Sequence, residues 1–360
     1  MKNPDSVHEL LAGIRPAEEE AAAACRRRWD SLAMPLGGLG LLQESVARMA
    51  AALGAPPAEG FRRAVGVFCA DNGVVAEGVT QTDSSVTAVV ARNLCLGQGC
   101  LSHMARAARA DVFPVDMGIR DAFSHPRLIS RRILPVTGNI AQGPAMSRAQ
   151  AEEALLAGAL LAGEWKRQGY ALLAAGEMGI GNTTTAAAVL CALLGLPPEK
   201  AVGRGAGLSD QGLARKREAV RRALAVNRPD PADPLDVLSK VGGLDIAGMA
   251  GLFLGGAYYR ILVAVDGLIS GTAALLAVRL APAAGGFLLG SHCSAEPAAG
   301  ALMEALGLPA PLQAGMHQGE GTGAAALFPL LDMALAVYWG MGTFEENGMV
   351  PYQPLGGGDA

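Results

Sequence analysis

The 360-residue chain predicts an α/β fold: a three-layer parallel sheet with a smaller helical domain formed from both chain ends. Three observations predict it. Short apolar runs alternate with helical segments through the middle of the chain, glycine-rich turns follow these runs, and both ends are helical in pattern. Strands joined by helical crossovers pair in parallel, and the ligands of such sheets sit outside the carboxyl ends of the strands. The expected division gives residues 61–310 to a nucleotide-binding α/β domain and residues 1–60 plus 311–360 to the helical one.

Residues 1–60 hold a charged helical segment (18–28), the turn Pro35-Leu36-Gly37-Gly38-Leu39-Gly40, and an amphipathic run (41–53) ended by Ala55-Pro56-Pro57. Strands are expected at 64–70, 111–115, 170–174, 261–265 and 286–289, each a short apolar run. Helices are expected at 84–96, 148–168, 183–194, 211–226, 246–258 and 269–278. The turns between them are Ala70-Asp71-Asn72-Gly73, Asp116-Met117-Gly118, residues 176–185, Asp266-Gly267 and Gly290-Ser291-His292. From 312 to about 342 the chain is glycine-punctuated and then helical. The closing Gly356-Gly357-Gly358-Asp359-Ala360 reads as a frayed tail.

Hydrophobic residues make up 51% of the chain and charged ones 17%, which excludes a disordered protein. A net charge of -4, with aromatics at 4% and no basic stripe, disfavours nucleic acid as a partner. The apolar windows 246–259 and 321–331 are too short to span a bilayer and are bounded by Asp245, Arg260, Glu320 and Asp332. The first residues, with Asp5, Glu9 and Glu18-Glu19-Glu20, do not resemble a signal peptide. A soluble cytoplasmic protein is expected. The six scattered cysteines read as reduced thiols, and Cys293 beside His292 lacks a third partner at metal-site spacing. The carboxylates are too dispersed for a metal cage, so neither a metal nor a cofactor is expected.

The densest signal is Ala175-Gly176-Glu177-Met178-Gly179-Ile180-Gly181-Asn182-Thr183-Thr184-Thr185. An apolar run, a glycine-rich turn and a helix start present free amides and a positive helix end to an anion. Residues 176–183 fit the Walker A spacing with Asn182 in the lysine's place, which argues for a ligand with one phosphate. A tight turn capped by Asn182 or Thr183 is the plain alternative. Glu177 beside a phosphate is unfavourable if both are charged, so it is expected to face sugar hydroxyls or a ring.

A second signal is Gln318-Gly319-Glu320-Gly321-Thr322-Gly323, which enters a very apolar helix. Glu320 is either a first-turn helix residue favoured by the dipole or a general base with backbone clearance on both sides. Beside Met316 and an apolar helix its pKa is expected to rise. In Gly203-Arg204-Gly205-Ala206-Gly207-Leu208-Ser209-Asp210 the glycines suggest close backbone approach and Ser209 or Asp210 caps a helix. On that helix Lys216 is either solvated or the cation that the Walker-like loop lacks. Asp71, Asp245 and Asp266 each bind sugar hydroxyls or cap a turn, and the sequence does not separate the two.

Together these segments resemble the nicotinate-nucleotide–dimethylbenzimidazole phosphoribosyltransferase family. The resemblance also takes in Glu77-Gly78-Val79-Thr80, Gly242-Gly243-Leu244-Asp245 and Ser294-Ala295-Glu296-Pro297, and covers nearly the whole chain. It implies a Rossmann-like fold, a homodimer, and transfer of a phosphoribosyl group from nicotinate mononucleotide to a benzimidazole-type base. It also implies that Glu320 is the general base, that Glu177 lies in the site, and that Lys216 belongs to it. The implied substrate-binding set adds Gly179, Gly181, Asn182, Thr183, Gly205, Thr80, Ser84, Ser291 and Gly319.

One departure stands out. Many family members carry an aromatic-Pro-Gln-Glu-Val-Thr stretch lining the base pocket, where this chain reads Thr80-Gln81-Thr82-Asp83-Ser84-Ser85-Val86-Thr87. Ser84 takes the glutamine's place, which implies an acceptor pocket of altered size or hydrogen bonding. Two rival readings are a non-catalytic nucleotide- or base-binding paralogue and a P-loop phosphotransferase. The retained Glu320 disfavours the first; Asn182 in place of lysine disfavours the second.

Overall fold

The structure is a computed structural model and describes residues 2–353; the tail expected at 356–360 lies outside the described residues. Three helices open the chain: α1 (Val7–Gly13), α2 (Glu19–Ser31) and α3 (Leu41–Leu53). Strand β1 (Arg62–Ala70) follows, then α4 (Ser85–Leu96), α5 (Cys100–Ala107), β2 (Asp111–Gly118) and the two-residue β3 (Ile129–Ser130). Next come α6 (Arg148–Arg167), β4 (Tyr170–Met178), α7 (Asn182–Leu194), α8 (Pro198–Ala201), α9 (Asp210–Asn227), α10 (Pro234–Val241) and α11 (Leu244–Tyr259). The chain continues through β5 (Leu262–Val265), α12 (Gly267–Leu280), β6 (Leu288–Gly290), α13 (Ala299–Leu306) and α14 (Thr322–Gly340).

All six strands are parallel, in the order β3-β2-β1-β4-β5-β6. This is the doubly wound order, whose direction of winding reverses between β1 and β4. The reversal opens a crevice beyond Ala70 and Met178, with Cys69 paired to Met178 at its lip. The expected strands are all present. The edge strand β3 and the eight-residue helices α5, α10 and α13 carried too few periodic residues to be read in advance.

Helix α11 is buried along almost its full length because glycines let it sink onto α6. A side chain on Gly158, Gly251 or Gly255 would strike backbone atoms across that contact. The main core gathers both faces of the sheet, and Val7 and Leu10 of α1 and Ile14 just beyond it belong to it. A second core holds Cys25 and Trp29 of α2 with Leu32 just beyond it, Val46 and Ala50 of α3, and Leu335 and Tyr338 of α14. The two cores meet within α3 and α14.

Helix α14 continues through Asp332, as the helical reading to about residue 342 expects. The chain stays helical for 19 residues, long and apolar enough to cross a membrane by length and composition. Asp332 is accommodated because its carboxylate pairs at 2.6 Å with the buried Arg63 guanidinium. The helix packs on α3, α5 and β4, with Leu327, Phe328 and Leu331 fully buried.

Candidate active site

Strand β4 runs four residues past its expected end, which places Gly176 and Glu177 in the sheet and leaves only Gly179-Ile180-Gly181 in the turn. The Walker-like spacing is therefore not a phosphate loop over its whole length. Gly181, at φ 94, is the N-cap of α7, so neither Asn182 nor Thr183 caps the helix. Asn182 instead donates its amide to Glu177 Oε2 and, at 3.0 Å, to Asp245 Oδ2. The turn is pinned from behind: Ile180 N–H donates to Thr87 Oγ1 at 3.2 Å, and Thr87 donates to Asp71 Oδ1 at 2.7 Å. Asp71 also accepts the Arg120 amide at 2.8 Å, so of its two possible roles it fills the turn-holding one.

Glu177 and Asp245 are both buried, and Asn182 bridges them. Burial first, then the Asp245 charge, pushes the Glu177 carboxyl up to about 8, against the opposing Asn182 hydrogen bond. Burial likewise raises Asp245 to about 6. Glu177 is thus a neutral acid at pH 7. A group whose folded pKa lies above its unfolded value stabilises most below the unfolded value, and that contribution is lost as pH rises through the folded one. Glu177→Gln should therefore flatten the decline in unfolding free energy between about pH 4.5 and 8, by about 2–4 kcal/mol. Urea melts across that range check it; equal slopes for the two proteins would contradict it.

Gly176 has a purpose the sequence did not reveal. A Cβ there would lie 2.5 Å from the Glu320 carbonyl carbon and 2.8 Å from the Gly321 nitrogen. Its bare backbone lets the Gly319–Gly321 turn rest on the sheet. That turn holds three successive residues at positive φ: Gly319 at 77°, Glu320 at 61° and Gly321 at 95°. Glu320 is not a first-turn helix residue but precedes the N-cap of α14, in a conformation that favours glycine. Asp266, just beyond β5, holds it there by accepting the backbone N–H groups of Gly321 (2.9 Å), Gly323 (2.7 Å) and Ala324 (3.1 Å). The approach is guided by backbone pairing of Leu312 with Ser291 and Cys293, and of Met316 with Ala295.

Glu320 is 9% exposed. Its Oε1 accepts a 3.4 Å hydrogen bond from Gln318, and its Oε2 is buried with no partner. Burial raises its pKa, Gln318 and the Leu101 amide oppose this, and Asp266 adds to it. Gly176→Ala should shift the turn bodily. We expect turnover about 10²-fold lower, as an ångström-scale misplacement produces, with a comparatively small change in thermal stability. Initial rates and a thermal melt check this; near-normal turnover would contradict it.

Lys216 is not a solvated helix lysine. It is 1% exposed, donates to Thr183 Oγ1 at 2.7 Å and Gly203 O at 3.2 Å, and burial lowers its pKa to about 8. Ser209 caps its helix, accepting from Gly212 N–H. Gln81, which the departure from the family stretch had left without a role, donates to the carbonyls of Ala206 (3.0 Å) and Gly207 (2.5 Å) and so clamps the glycine loop.

These elements enclose a cavity of about 540 Å³. Glu177, Gly179, Asn182, Thr183, Gly205, Gly319 and Glu320 all line it. A smaller cavity of about 110 Å³ shares the wall formed by Gly179, Asn182, Thr183 and Gly205 and adds Thr80, Gly181 and Lys216. Two expected residues lie elsewhere. Ser84 is a buried residue at the start of α4, and Ser291 is fully buried with its hydroxyl donated to the Val265 carbonyl at 2.5 Å. Neither lines either cavity. The sequence reading did not single out His317 of the wall, and it had left Gln318, Asp266, His292 and Glu296 without an assigned role. His292 fills the space a side chain on Gly323 would need, with Nδ1 3.9 Å from Asp266.

A large cavity at the switch point of a doubly wound sheet, lined by several carboxyls and adjoined by a smaller one that holds Lys216 and Arg204, suits a small anionic ligand with a sugar. A family model described as a phosphoribosyltransferase matches residues 14–349. The chain belongs to this phosphoribosyltransferase family. It is 45% identical over 346 residues to a nicotinate-nucleotide–dimethylbenzimidazole phosphoribosyltransferase of Acetivibrio thermocellus, covering 96% of this chain and 99% of the relative. It is 43% identical over 347 residues to the protein of that name from Ruminiclostridium cellulolyticum, covering 96% and 99%. Among solved structures it is similar to CobT from Thermus thermophilus, with a TM-score of 0.86, 43% identity, and coverage of 92% of this chain and 99% of that one. The Rossmann-like fold of this phosphoribosyltransferase is thus that of its relatives.

Proposed function

We propose that this phosphoribosyltransferase moves the 5-phosphoribosyl group of nicotinate mononucleotide to 5,6-dimethylbenzimidazole or a related base. The products are nicotinate and α-ribazole 5′-phosphate, the nucleotide-loop precursor of cobalamin. The observation that carries this reading is Glu320: a buried carboxylate at positive φ, on the wall of the large cavity.

Each substrate feature finds a counterpart. The single phosphate suits the small cavity, where Lys216, Thr183 and the Gly179–Gly181 amides supply donors without a metal. The bond from the sugar carbon to the pyridinium nitrogen breaks with its electron pair returning to the ring, so the leaving nicotinate needs no acid. The incoming base attacks through one ring nitrogen and must lose the proton on the other. Glu320 accepts that proton, a role worth about 10²–10⁴-fold. Its raised pKa brings its basicity closer to that of the ring it deprotonates. Attack opposite the leaving ring inverts the β-linkage to α, and holding both rings supplies the proximity term. Asp266 and Glu296 line the same cavity and would steady positive charge on the sugar. Glu177, neutral at pH 7, is suited to donate a hydrogen bond to a sugar hydroxyl or to the nicotinate carboxylate.

Base-dependent release of nicotinate from nicotinate mononucleotide tests the reading. No release with any of a panel of benzimidazoles, purines and phenols would overturn it. The non-catalytic paralogue is disfavoured, since such a protein has no use for a strained carboxylate in its cavity. We further read residues 61–310 as the nucleotide-binding domain, with residues 1–60 and 311–360 forming the smaller helical one that carries Glu320, and the chain as a cytosolic homodimer. Six unpaired cysteines and the exposed Leu36, Leu41, Met333 and Trp339 support this. Light scattering at twice the 36.7 kDa chain mass is expected, and a monomer at micromolar concentration would refute the dimer.

A further inference from the structure

Behind Glu320, away from the cavity, two buried polar atoms lack partners: Glu320 Oε2 and Ser102 Oγ. Ser102 lies in the first turn of α5 and is 8% exposed. Both atoms lie within 4 Å of one point, the place a side chain on Gly99 would occupy. A Cβ there would sit 3.8 Å from Ser102 Oγ, 3.9 Å from Glu320 Oε2 and 3.4 Å from Leu94 Cδ2. Gly99 has φ -70, a conformation open to any residue, so backbone strain does not account for a glycine here. Its missing side chain leaves a methyl-sized hollow between a hydroxyl and a carboxylate oxygen. An unpaired buried polar atom is costly, and two facing the same small hollow form a natural pair.

We propose that Ser102 is a positioning residue for Glu320: its hydroxyl closes across the Gly99 hollow onto Glu320 Oε2, fixing the carboxylate so that Oε1 faces the acceptor base. The proposal rests on the transferase reading for its kinetic consequence, but the contact itself does not. A hydroxyl donated to Oε2 stabilises the ionised form of a carboxylate that burial otherwise disfavours. The other charged and titratable groups around Glu320 are Asp266 and His292 behind the α14 turn, Glu177 at the end of β4, and Glu296 and His317 on the cavity wall. His103 and Arg106 of α5 are exposed, and the first turn of α14 carries no acidic residue. The Leu101 amide in the first turn of α5 also lies against the Glu320 carboxylate without closing a full hydrogen bond to Oε2, and Ser102 is the hydroxyl beside it.

Two variants test it. Ser102→Ala removes the donor, and Gly99→Ala fills the hollow with a methyl group that the backbone and its neighbours tolerate. In both, the acid limb of the kcat–pH profile should move up by about one pH unit and kcat at pH 7 should fall about tenfold, with KM for nicotinate mononucleotide within about twofold of wild type. An activity-independent readout accompanies this: the Glu320 side-chain carboxyl ¹³C resonance, assigned by its loss in Glu320→Gln, should titrate about one unit higher in both variants. Unshifted titrations and profiles, with or without a lower melting temperature, would overturn the proposal and leave Ser102 a packing residue. If wild-type protein transfers nothing to any base, the transferase reading fails while the titration still decides whether the contact exists.

Discussion

Glu320→Gln should lower kcat by about 10²–10⁴-fold while nicotinate mononucleotide binds with nearly wild-type affinity. Glutamine keeps the shape and one acceptor oxygen but cannot take the azole proton. The Gln318 amide now at 3.4 Å from Oε1 can still be accepted by the new carbonyl, and Asp266 still holds the turn through backbone groups alone. Positive φ at Glu320 is unaffected by the change, since both side chains meet the same backbone constraint. The comparison of turnover with equilibrium binding of the nucleotide checks it. Turnover within about tenfold of wild type would remove Glu320 from the base role and shift the proton transfer to solvent.

Lys216→Ala should act on the opposite term, raising KM for nicotinate mononucleotide about 10–100-fold with a smaller effect on kcat, since charge-assisted hydrogen bonds to phosphate carry this much binding. The lysine is held by Thr183 and Gly203, with Gly205 bare beside it; a Cβ on Gly205 would sit 3.5 Å from Nζ. A pH dependence follows with a definite sign. Burial lowers the free enzyme's Lys216 to about 8, so raising the pH through that value removes the cation and should weaken nucleotide binding. The variant should lose this limb. Isothermal titration of nucleotide into both proteins at pH 7 and 9 checks it; a wild-type affinity unchanged across that range would return Lys216 to a structural role.

Much of this was legible in the sequence because backbone chemistry is local. The glycine turns at 70–73, 179–181 and 266–267 announce strand ends, and each does sit at the carboxyl edge of the sheet. The 319–323 glycines announced a loop built around one carboxylate, though not that Glu320 itself takes positive φ. What stayed hidden depends on long-range approach. Gly176 read as part of a phosphate loop, yet it is a strand residue kept bare for the backbone of Glu320, far along the chain. Asp71 and Asp266 looked alike in sequence, each an aspartate at a strand end. Only the fold shows that one pins the 179–181 turn through Thr87 and the other caps α14. The Asp245–Asn182–Glu177 bridge joins the β4–α7 turn to the start of α11 and leaves no local trace. Ser84 and Ser291 were placed in the site by resemblance alone, and burial accounts for both.

The central claim is that one cavity holds a nucleotide donor and an azole acceptor on opposite faces of the ribose, with Glu320 removing the acceptor's proton. It is tested most directly by incubating the purified protein with nicotinate mononucleotide and 5,6-dimethylbenzimidazole and determining product stoichiometry and anomeric configuration by NMR. Nicotinate and an α-configured riboside 5′-phosphate in equal amounts are the predicted result. A β-configured product, or nicotinate released as free ribose 5-phosphate accumulates, would contradict it.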